Sequence, residues 1–292
     1  MTGKIIKGVA GTYSVDTGST GVYECKARGV FRNMNIKPLV GDNVVIDVVE
    51  KENQIGNIIE VLDRKNELLR PQVSNVDGAL VVFAVKDPLP NYNMLARFLI
   101  LMDEQRIKTT ICFNKSDIAN AQEIEHLQSI YENSGYKVLF TSTHTGQGKD
   151  ELFEIVDGKT IVLAGPSGVG KSSILNMLYP TVQVKTGQIS EKIKRGKHTT
   201  RHSELFALSD NTYIMDTPGF TSLMINDIDE NELKDYFSEF DPYIDECRFK
   251  GCVHISEPEC AVKKAFKEGK ISEIRYRNYI EIYNEIKSQR KY

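Results

Sequence analysis

The 292-residue sequence contains no long apolar run, because no stretch approaches the roughly 18 apolar residues that a membrane span needs. The first residues, Met1-Thr2-Gly3-Lys4, lack the apolar stretch of a secretory signal. Cysteine is scarce, and the five cysteines fit a compartment in which thiols stay reduced. There is also no internal repeat and no low-complexity segment. These absences predict a cytoplasmic protein that does not enter a membrane.

Length and composition set broader limits on the chain. A chain of 292 residues is too long for one small core, so two or three domains are expected. The hydrophobic share of 40% and the charged share of 26% are ordinary for a globular protein. The net charge of -3 does not indicate a nucleic-acid partner, so any basic surface must be argued locally.

The pattern of the chain predicts three domains. Residues 1–68 contain short β-prone segments separated by glycines, with no helical stretch between them, which predicts a five-stranded barrel of the oligonucleotide-binding (OB) type. Residues 69–224 alternate apolar strands with helices, which predicts a doubly wound parallel α/β sheet. Residues 225–292 show helical patterns but no strand, and they include a cluster of cysteines.

A glycine-rich loop runs from Gly165 to Ser172 and matches the P-loop pattern, with an apolar strand before it and a helix after it. Its backbone N–H groups would surround a phosphate at the positive end of the helix. Lys171 would contact the β- and γ-phosphates, and the Ser172 hydroxyl would bind Mg²⁺. The alternative is a chance glycine turn, but the strand–loop–helix context argues for a nucleotide site.

Two further segments predict that the base is guanine. Asn114-Lys115-Ser116-Asp117 follows a strand and matches the Asn-Lys-x-Asp element of GTPases. The Asp117 carboxylate can accept hydrogen bonds from the N1–H and the 2-amino group of guanine, whereas adenine offers neither donor. Thr141-Ser142-Thr143, which follows the next strand, is similar to the element whose backbone amide contacts guanine O6.

The phosphate-sensing motifs lie later in the chain. Asp216-Thr217-Pro218-Gly219 matches Asp-x-x-Gly, in which Asp216 would hold Mg²⁺ through water and the Gly219 amide would meet the γ-phosphate. This tetrapeptide is also a good turn sequence. In ordinary GTPases Asn-Lys-x-Asp comes last, but here it precedes the P-loop and Asp-x-x-Gly closes the series. The motif order therefore predicts a circularly permuted GTPase.

The basic segment 187–202 occupies the position of the threonine switch. Thr199 or Thr200 would complete the Mg²⁺ shell, and we assign Thr200. The residue after Asp-x-x-Gly is Phe220, which cannot hydrogen-bond the attacking water as a glutamine does in many GTPases. His198 is the nearest substitute for that role, although an ordinary surface histidine in a solvated basic loop is the alternative.

Three cysteines and one histidine crowd into 14 positions as Cys247-x4-Cys252-x-His254-x5-Cys260. This is the ligand set of a closed structural Cys3His zinc site, and reduced thiols without metal are the alternative. From residue 261 onward nine Lys or Arg stand against four Glu, interleaved with Tyr276, Tyr279, Tyr283 and Tyr292. This tail fits either RNA contacts or a solvated helix with inward-facing tyrosines. Lys26, Arg28, Phe31, Arg32 and Lys37 repeat the basic and aromatic mixture in a loop of the barrel.

With these motifs the whole chain resembles the ribosome small subunit-dependent GTPase A family of bacteria. The most specific features are Gly165–Ser173, Lys197-His198-Thr199-Thr200 and Asp216–Phe220 in rotated order, together with the Cys3His spacing. The resemblance implies a factor that acts late in 30S maturation and binds 16S rRNA near the decoding region. It further implies that the subunit stimulates GTP hydrolysis, which is coupled to release, and it places the catalytic histidine and the switch threonine at His198 and Thr200.

The motifs together predict residues for GTP binding, catalysis and metal binding. The GTP-binding residues are Asn114, Lys115, Asp117, Ser142, Gly165, Pro166, Ser167, Gly168, Val169, Gly170, Lys171, Ser172, Ser173, Asp216 and Gly219. The predicted catalytic residues are Lys171, His198 and Thr200, and the Mg²⁺ ligands are Ser172 and Thr200. One structural Zn²⁺ is assigned to Cys247, Cys252, His254 and Cys260.

Two alternative functions remain open at this point. The loop from Gly165 to Ser172 is similar to that of guanylate kinases, but those chains open with it and lack Asn-Lys-x-Asp. An RNA-binding scaffold that binds GTP without useful turnover is the second alternative, suggested by the missing glutamine. Guanine alarmones are further candidate ligands, because guanine and a 5′-diphosphate are what the site would bind. We expect the protein to be a monomer.

Overall fold

The computed structural model describes residues 1–29, 31, 36–69, 72–180, 204–216, 225 and 228–289. Its strands are β1 (Thr2–Val9), β2 (Thr12–Asp16), β3 (Val22–Ala27), β4 (Asn43–Glu50), β5 (Ile55–Val61), β6 (Glu67–Leu69), β7 (Gln72–Ser74), β8 (Gly78–Ala84), β9 (Thr109–Asn114), β10 (Lys137–Phe140), β11 (Thr160–Ala164), β12 (Leu205–Ser209) and β13 (Thr212–Asp216).

The α-helices are α1 (Tyr92–Glu104), α2 (Ala121–Tyr131), α3 (Lys149–Val156), α4 (Lys171–Leu178), α5 (Asp241–Ile244), α6 (Ala261–Lys267) and α7 (Glu273–Gln289). Short 3-10 turns cover Gly18–Thr20, Ser116–Ile118, Leu233–Tyr236 and Ser238–Phe240. Among the helices that the structure describes, none combines the length and apolarity that crossing a membrane requires.

Strands β1 to β5 form a closed barrel in the order β1-β2-β3-β5-β4. The pairs are antiparallel except for β3 with β5, which runs parallel. Alternate side chains point inward, so that Ile5, Val15 and Ile58 are fully buried. Closing the sheet leaves no unpaired edge strand. The predicted five-stranded barrel is confirmed.

The α/β part contains a six-stranded sheet in the order β10-β9-β8-β11-β13-β12. Strands β8, β9 and β11 are buried along their whole length, as expected for strands covered on both faces. The pairs β9 with β10 and β11 with β13 are parallel. The predicted α/β fold is confirmed, but the outer strand β12 runs antiparallel to β13. The two-residue turn Asp210-Asn211 forces this direction, because parallel strands need a long crossover.

Contact density divides the chain into two compact units. The first contains Met1–Leu80, Gly148–Ser167 and Lys171–Phe220, so it holds the barrel together with β11, β12 and β13. The second contains Val81–Gln147, Gly168–Gly170 and Thr221–Tyr292, so it holds β9, β10 and the C-terminal helices. The three-domain division at residues 68 and 224 stays a prediction.

Residues 228–289, which we call the C-terminal module, contain helices and 3-10 turns but no strand. Aromatic rings form much of its core, with Phe237 and Phe240 each 5.1 Å from the Tyr279 ring, centroid to centroid. Tyr276, Tyr279 and Tyr283 are all buried on α7. Of the two interpretations of the tail, inward packing therefore holds for these three tyrosines. Tyr292 lies outside the described residues.

Candidate nucleotide site and cysteine–histidine cluster

The Asn-Lys-x-Asp element is tied directly to the glycine loop. Strand β9 ends at Asn114, whose buried side chain donates from Nδ2 to the Val169 carbonyl oxygen at 2.9 Å. The Thr141 hydroxyl donates to Asn114 Oδ1 at 3.2 Å. Gly170 has φ +96°, and a Cβ there would lie 2.3 Å from Asn114 Nδ2, so only glycine fits. Two of the predicted motifs are thus in direct contact through residues 55 positions apart in the sequence.

Asp117 is exposed and held in a fixed orientation. The Ser142 hydroxyl donates to its Oδ1 at 2.6 Å, and this hydrogen bond holds the pKa of the Asp117 carboxyl below its ordinary value. Ser142 Oγ in turn accepts from the backbone N–H groups of His144 and Thr145, at 3.2 and 3.1 Å. The carboxylate is therefore ionised at neutral pH and able to accept hydrogen bonds from a ligand. Lys115, in the left-handed region at φ 63°, donates to the Asp87 carbonyl.

The glycine loop connects a buried strand to a helix, as predicted. Strand β11 ends at Ala164, and α4 begins at Lys171. The Lys171 ammonium donates to the carbonyl oxygens of Gly165 and Pro166, both at 2.8 Å. Ser172 and Ser173 are half-buried in the first turn of α4. This strand–loop–helix arrangement presents backbone N–H groups and a lysine charge to an anion.

The remaining predicted nucleotide residues are only partly covered by the structure. Asp216 is the last residue of β13, and its backbone pairs with Leu163 of β11. Gly219, His198, Thr199 and Thr200 lie outside the described residues. Their assignment to phosphate sensing, Mg²⁺ binding and water positioning stays a prediction.

The four predicted metal ligands form one cluster. The ligand atoms of Cys247, Cys252, His254 and Cys260 all lie within 4.8 Å of one another. His254 Nδ1 is 3.6 Å from Cys247 Sγ and 3.3 Å from Cys260 Sγ, and these two sulfur atoms are 3.9 Å apart. Sulfur ligands at about 2.3 Å from a tetrahedral ion lie roughly 3.8 Å from each other. The geometry and the donor set therefore fit a structural zinc ion.

Unless a cation is bound, burial disfavours the charged forms of these side chains, the thiolate and the imidazolium. It raises the pKa of the Cys252 thiol to about 12 and lowers that of His254 to about 4. A divalent cation reverses the preference of the thiols, because it stabilises thiolates directly. The cluster is also braced from α7, where the Tyr276 hydroxyl donates to the His254 carbonyl at 2.6 Å. The sequence did not predict this bracing, since it depends on two segments 22 residues apart.

The barrel carries a concave surface beside its basic loop. Among the described residues, a cavity of about 610 Å³ is lined by Gly11, Tyr13, Ala27, Arg28, Gly29, Phe31, Ile36, Lys37 and Pro38. Phe31 is buried and therefore does not match an exposed RNA contact, whereas the Arg28 side chain is more than half exposed and pairs with Asp47 at 3.0 Å. Lys26 and Lys37 are exposed, but Lys26 lies in β3 and not in the predicted loop, and Arg32 lies outside the described residues.

Comparison with protein families identifies the chain. A family model for the RsgA GTPase matches residues 61–226, and one for the RsgA N-terminal domain matches residues 2–58. The chain belongs to the RsgA GTPase family. Members of the RsgA GTPase family hydrolyse GTP, so the chain is a GTP hydrolase and not a guanylate kinase.

Similar RsgA proteins match over their full length. A protein of Agathobacter rectalis named small ribosomal subunit biogenesis GTPase RsgA is 54% identical over 303 residues, with 100% of both chains covered. A protein of the same name from Alkaliphilus metalliredigens is 48% identical over 290 residues, with 99% of both chains covered.

Two solved structures share the fold of this RsgA chain. YjeQ from Thermotoga maritima is 37% identical with a TM-score of 0.80, over 98% of both chains. YloQ, described as a circularly permuted GTPase, is 36% identical with a TM-score of 0.76, over 99% of this chain and 95% of that one. The circular permutation predicted from the motif order is thereby confirmed.

Proposed function

We propose that this GTPase acts late in maturation of the small ribosomal subunit, where it binds the 30S particle and 16S rRNA. The full-length relatives named small ribosomal subunit biogenesis GTPases support this role, since they are 48–54% identical to the chain. In this proposal the subunit stimulates hydrolysis of GTP to GDP and phosphate, and hydrolysis is coupled to release. Three basic residues of the barrel are exposed and can contact RNA phosphates: Lys26 in β3, Arg28 just after it, and Lys37.

The nucleotide preference rests on one observation, the fixed and ionised carboxylate of Asp117 beside the contact between Asn114 and Val169. This carboxylate accepts hydrogen bonds from the guanine N1–H and 2-amino groups. At the phosphates, Lys171 stabilises the charge that develops during transfer to water. Ser172 and Thr200 would hold Mg²⁺, which would neutralise charge on the phosphates.

Water activation distinguishes this GTPase from those with a glutamine after Asp-x-x-Gly. Phe220 has no hydrogen-bonding group, so His198 positions the attacking water. We expect slow turnover of the protein alone, because the glutamine that orients water in many GTPases is missing, and we expect the ribosomal subunit to raise the rate. A positioned acid–base group contributes about 10² to 10⁴ in rate, so stimulation by 30S subunits should reach at least ~10²-fold. Equal kcat values with and without 30S subunits would contradict this part of the proposal.

Two further assignments complete the proposal. The Cys3His cluster binds one structural Zn²⁺, supported by its ligand spacing and by the closed set of four donors. The protein works as a monomer, and guanine alarmones such as ppGpp compete for the nucleotide site because they carry the same base and 5′-diphosphate. A GTP affinity that stays constant as ppGpp is added would remove the alarmone assignment.

The substitution Asp117→Asn tests the nucleotide site. An amide in place of the carboxylate donates one hydrogen bond, so it opposes the guanine donors and suits the carbonyl of xanthine. We expect GTP affinity to fall by at least ~10²-fold and the preference to shift to xanthosine triphosphate. Equilibrium binding of both nucleotides measures the change.

The matched control is Asp63→Asn, which makes the same substitution at an exposed position of the chain. It should leave both affinities as in the unmodified protein. If Asp117→Asn kept its preference for GTP, or if ATP competed equally with GTP, the guanine-specific site would be wrong. Binding of the unmodified protein to purified 30S particles, with a GTP analogue and with GDP, tests the ribosomal part separately.

A further inference from the structure

The barrel packs directly on the hairpin formed by β12 and β13. Lys7 of β1 forms an isolated antiparallel bridge with Glu204, just before β12, and their side chains pair at 3.1 Å. The Lys4 ammonium lies 5.5 Å from the centroid of the Tyr213 ring in β13. The barrel and the β12–β13 hairpin belong to the same compact unit. The first strand of the barrel therefore lies against the edge of the GTPase sheet.

A buried hydrogen bond forms the centre of this contact. The Tyr213 hydroxyl donates to Asp16 Oδ2 at 3.0 Å, and the two residues are only 4% and 7% exposed. The other carboxylate oxygen, Oδ1, accepts from the Gly18 backbone N–H at 3.0 Å. Asp16 is thus held by the barrel, and Tyr213 must match the position that the barrel sets.

Burial fixes which group is the donor in this hydrogen bond. It raises the pKa of the Tyr213 hydroxyl well above its ordinary value, and Asp16 adds to the effect, so the phenol stays protonated and remains a donor. Separating the pair is costly for Asp16 Oδ2, which would lose this donor without regaining water, while the Tyr213 hydroxyl has a second acceptor in the Asp210 carbonyl oxygen at 3.2 Å. The bond therefore favours one alignment of β13 against the barrel over shifted alignments.

The β12–β13 hairpin lies between two of the predicted nucleotide motifs in the sequence. Strand β13 ends at Asp216, which begins the predicted Asp-x-x-Gly motif three residues after Tyr213. The predicted threonine switch, residues 187–202, precedes β12. Both predicted γ-phosphate-sensing segments are therefore attached in sequence to the hairpin that the barrel contacts.

We propose that the hydrogen bond between Tyr213 and Asp16 couples the barrel's affinity for ribosomal RNA to the bound nucleotide, with Tyr213 as a positioning residue. This inference rests on the proposed function. An alignment of β13 that suits GTP then also sets the orientation of the RNA-binding barrel. Thermodynamic linkage makes the effect reciprocal, so the 30S subunit changes the preference for GTP over GDP by the same factor.

The test measures the dissociation constant for 30S subunits with a GTP analogue and with GDP, and takes their ratio. Tyr213→Phe removes the hydroxyl and keeps the ring, and we expect the ratio to move toward one by about 5-fold or more. Asp16→Asn leaves one acceptor oxygen for two donors, the Tyr213 hydroxyl and the Gly18 N–H, so it should also move the ratio toward one. A structural role alone would change both dissociation constants together and leave their ratio intact.

Tyr179→Phe is the matched control. Its hydroxyl also donates to a carboxylate, Asp157 Oδ1 at 2.9 Å, but this bond joins two residues outside the barrel. The control should keep the ratio of the unmodified protein. An equal loss of the ratio in Tyr179→Phe would overturn the inference, because it would show that any loosening of the sheet has the same effect.

The two proposals fail in different ways. If the unmodified protein bound 30S subunits equally well with the GTP analogue and with GDP, the proposed function itself would be wrong, and the coupling with it. If the unmodified protein discriminated and Tyr213→Phe discriminated equally, only the coupling through Tyr213 would be overturned.

Discussion

The barrel and the C-terminal module are stabilised by different kinds of contact. The barrel closes five strands on each other and fills its interior with aliphatic side chains such as Ile5 and Ile58, both fully buried. The C-terminal module has no strand in residues 228–289 and packs aromatic rings, a buried ion pair and the Cys3His cluster. Small units have limited apolar area to bury, so a unit without a sheet depends more on such specific contacts.

The buried ion pair shows how specific these contacts are. Arg275 of α7 donates from Nε and Nη2 to the two carboxylate oxygens of Glu239, at 2.7 and 3.1 Å. Both side chains are almost completely buried, and the Arg275 guanidinium also lies 4.6 Å from the centroid of the Phe237 ring. In the barrel, by contrast, Arg28 and Asp47 pair on the surface with more than half of each side chain exposed.

Removal of the metal should give the largest difference between the two regions. We expect Cys260→Ser, or a strong chelator, to abolish zinc binding and unfold the C-terminal module, because structural zinc contributes about 10–16 kcal/mol in small domains. The barrel should stay folded, since no cluster ligand lies within it. Metal analysis and limited proteolysis with identification of the cleavage sites measure the two effects.

Cys25→Ala is the control for the metal experiment, since it removes a buried thiol from the barrel. It should leave one zinc ion per chain. Resistance of residues 228–289 to proteolysis after complete loss of zinc would show that the module does not need the metal.

Breaking the buried ion pair should have the next largest effect. Arg275→Met leaves the Glu239 carboxylate buried without its partner, which costs about 3–5 kcal/mol. The double variant with Glu239→Leu should recover most of this loss, because neither charge then remains buried. Urea unfolding, followed by the fluorescence of the module's tyrosines, measures the change.

The control is Arg277→Met, two residues further along the same helix, where the pair with Glu273 is exposed on both sides. It should shift the unfolding midpoint little. A double variant as unstable as Arg275→Met alone would argue that the packing of the arginine, and not the unpaired carboxylate, accounts for the loss.

The exposed barrel pair should give the smallest effect. Arg28→Ala removes the partner of Asp47 at the surface, and exposed pairs contribute about 0–1 kcal/mol. The expected loss should shrink further in high salt because of screening. Thermal unfolding at low and high salt measures it, and a loss comparable to that of Arg275→Met would remove the distinction between the regions.

The nucleotide and metal motifs could be predicted because their residues are close in sequence or follow strands. Gly165–Ser172 and Cys247–Cys260 each bring their ligands together through local turns. Asn114 could be assigned because parallel strands place their carboxyl ends at one edge of a sheet. The steric reason for glycine at position 170 could not be predicted, because a Cβ there would meet the side chain of Asn114, which is distant in sequence.

Other features depended on contacts that no local pattern reveals. The antiparallel direction of β12 follows from a two-residue turn that the predicted parallel sheet did not take into account. The tyrosines of α7 left two interpretations open, because a tyrosine suits both a core and an RNA surface. Tyr276 and Tyr279 pack against Phe240, and Tyr283 packs against Tyr279, so burial decided between the two interpretations for three of the four tyrosines.

The sequence alone predicted the chemistry of the protein: a guanine-selective loop, a phosphate-binding loop, their permuted order and a Cys3His set. The two loops and the Cys3His set depend on residue types at short spacing, and the permutation follows from the order of the motifs along the chain. Only the tertiary structure decided which surfaces meet, including Tyr213 with Asp16 and Arg275 with Glu239. These pairs join residues 197 and 36 positions apart, and the packing of whole elements, rather than local preference, sets their distances.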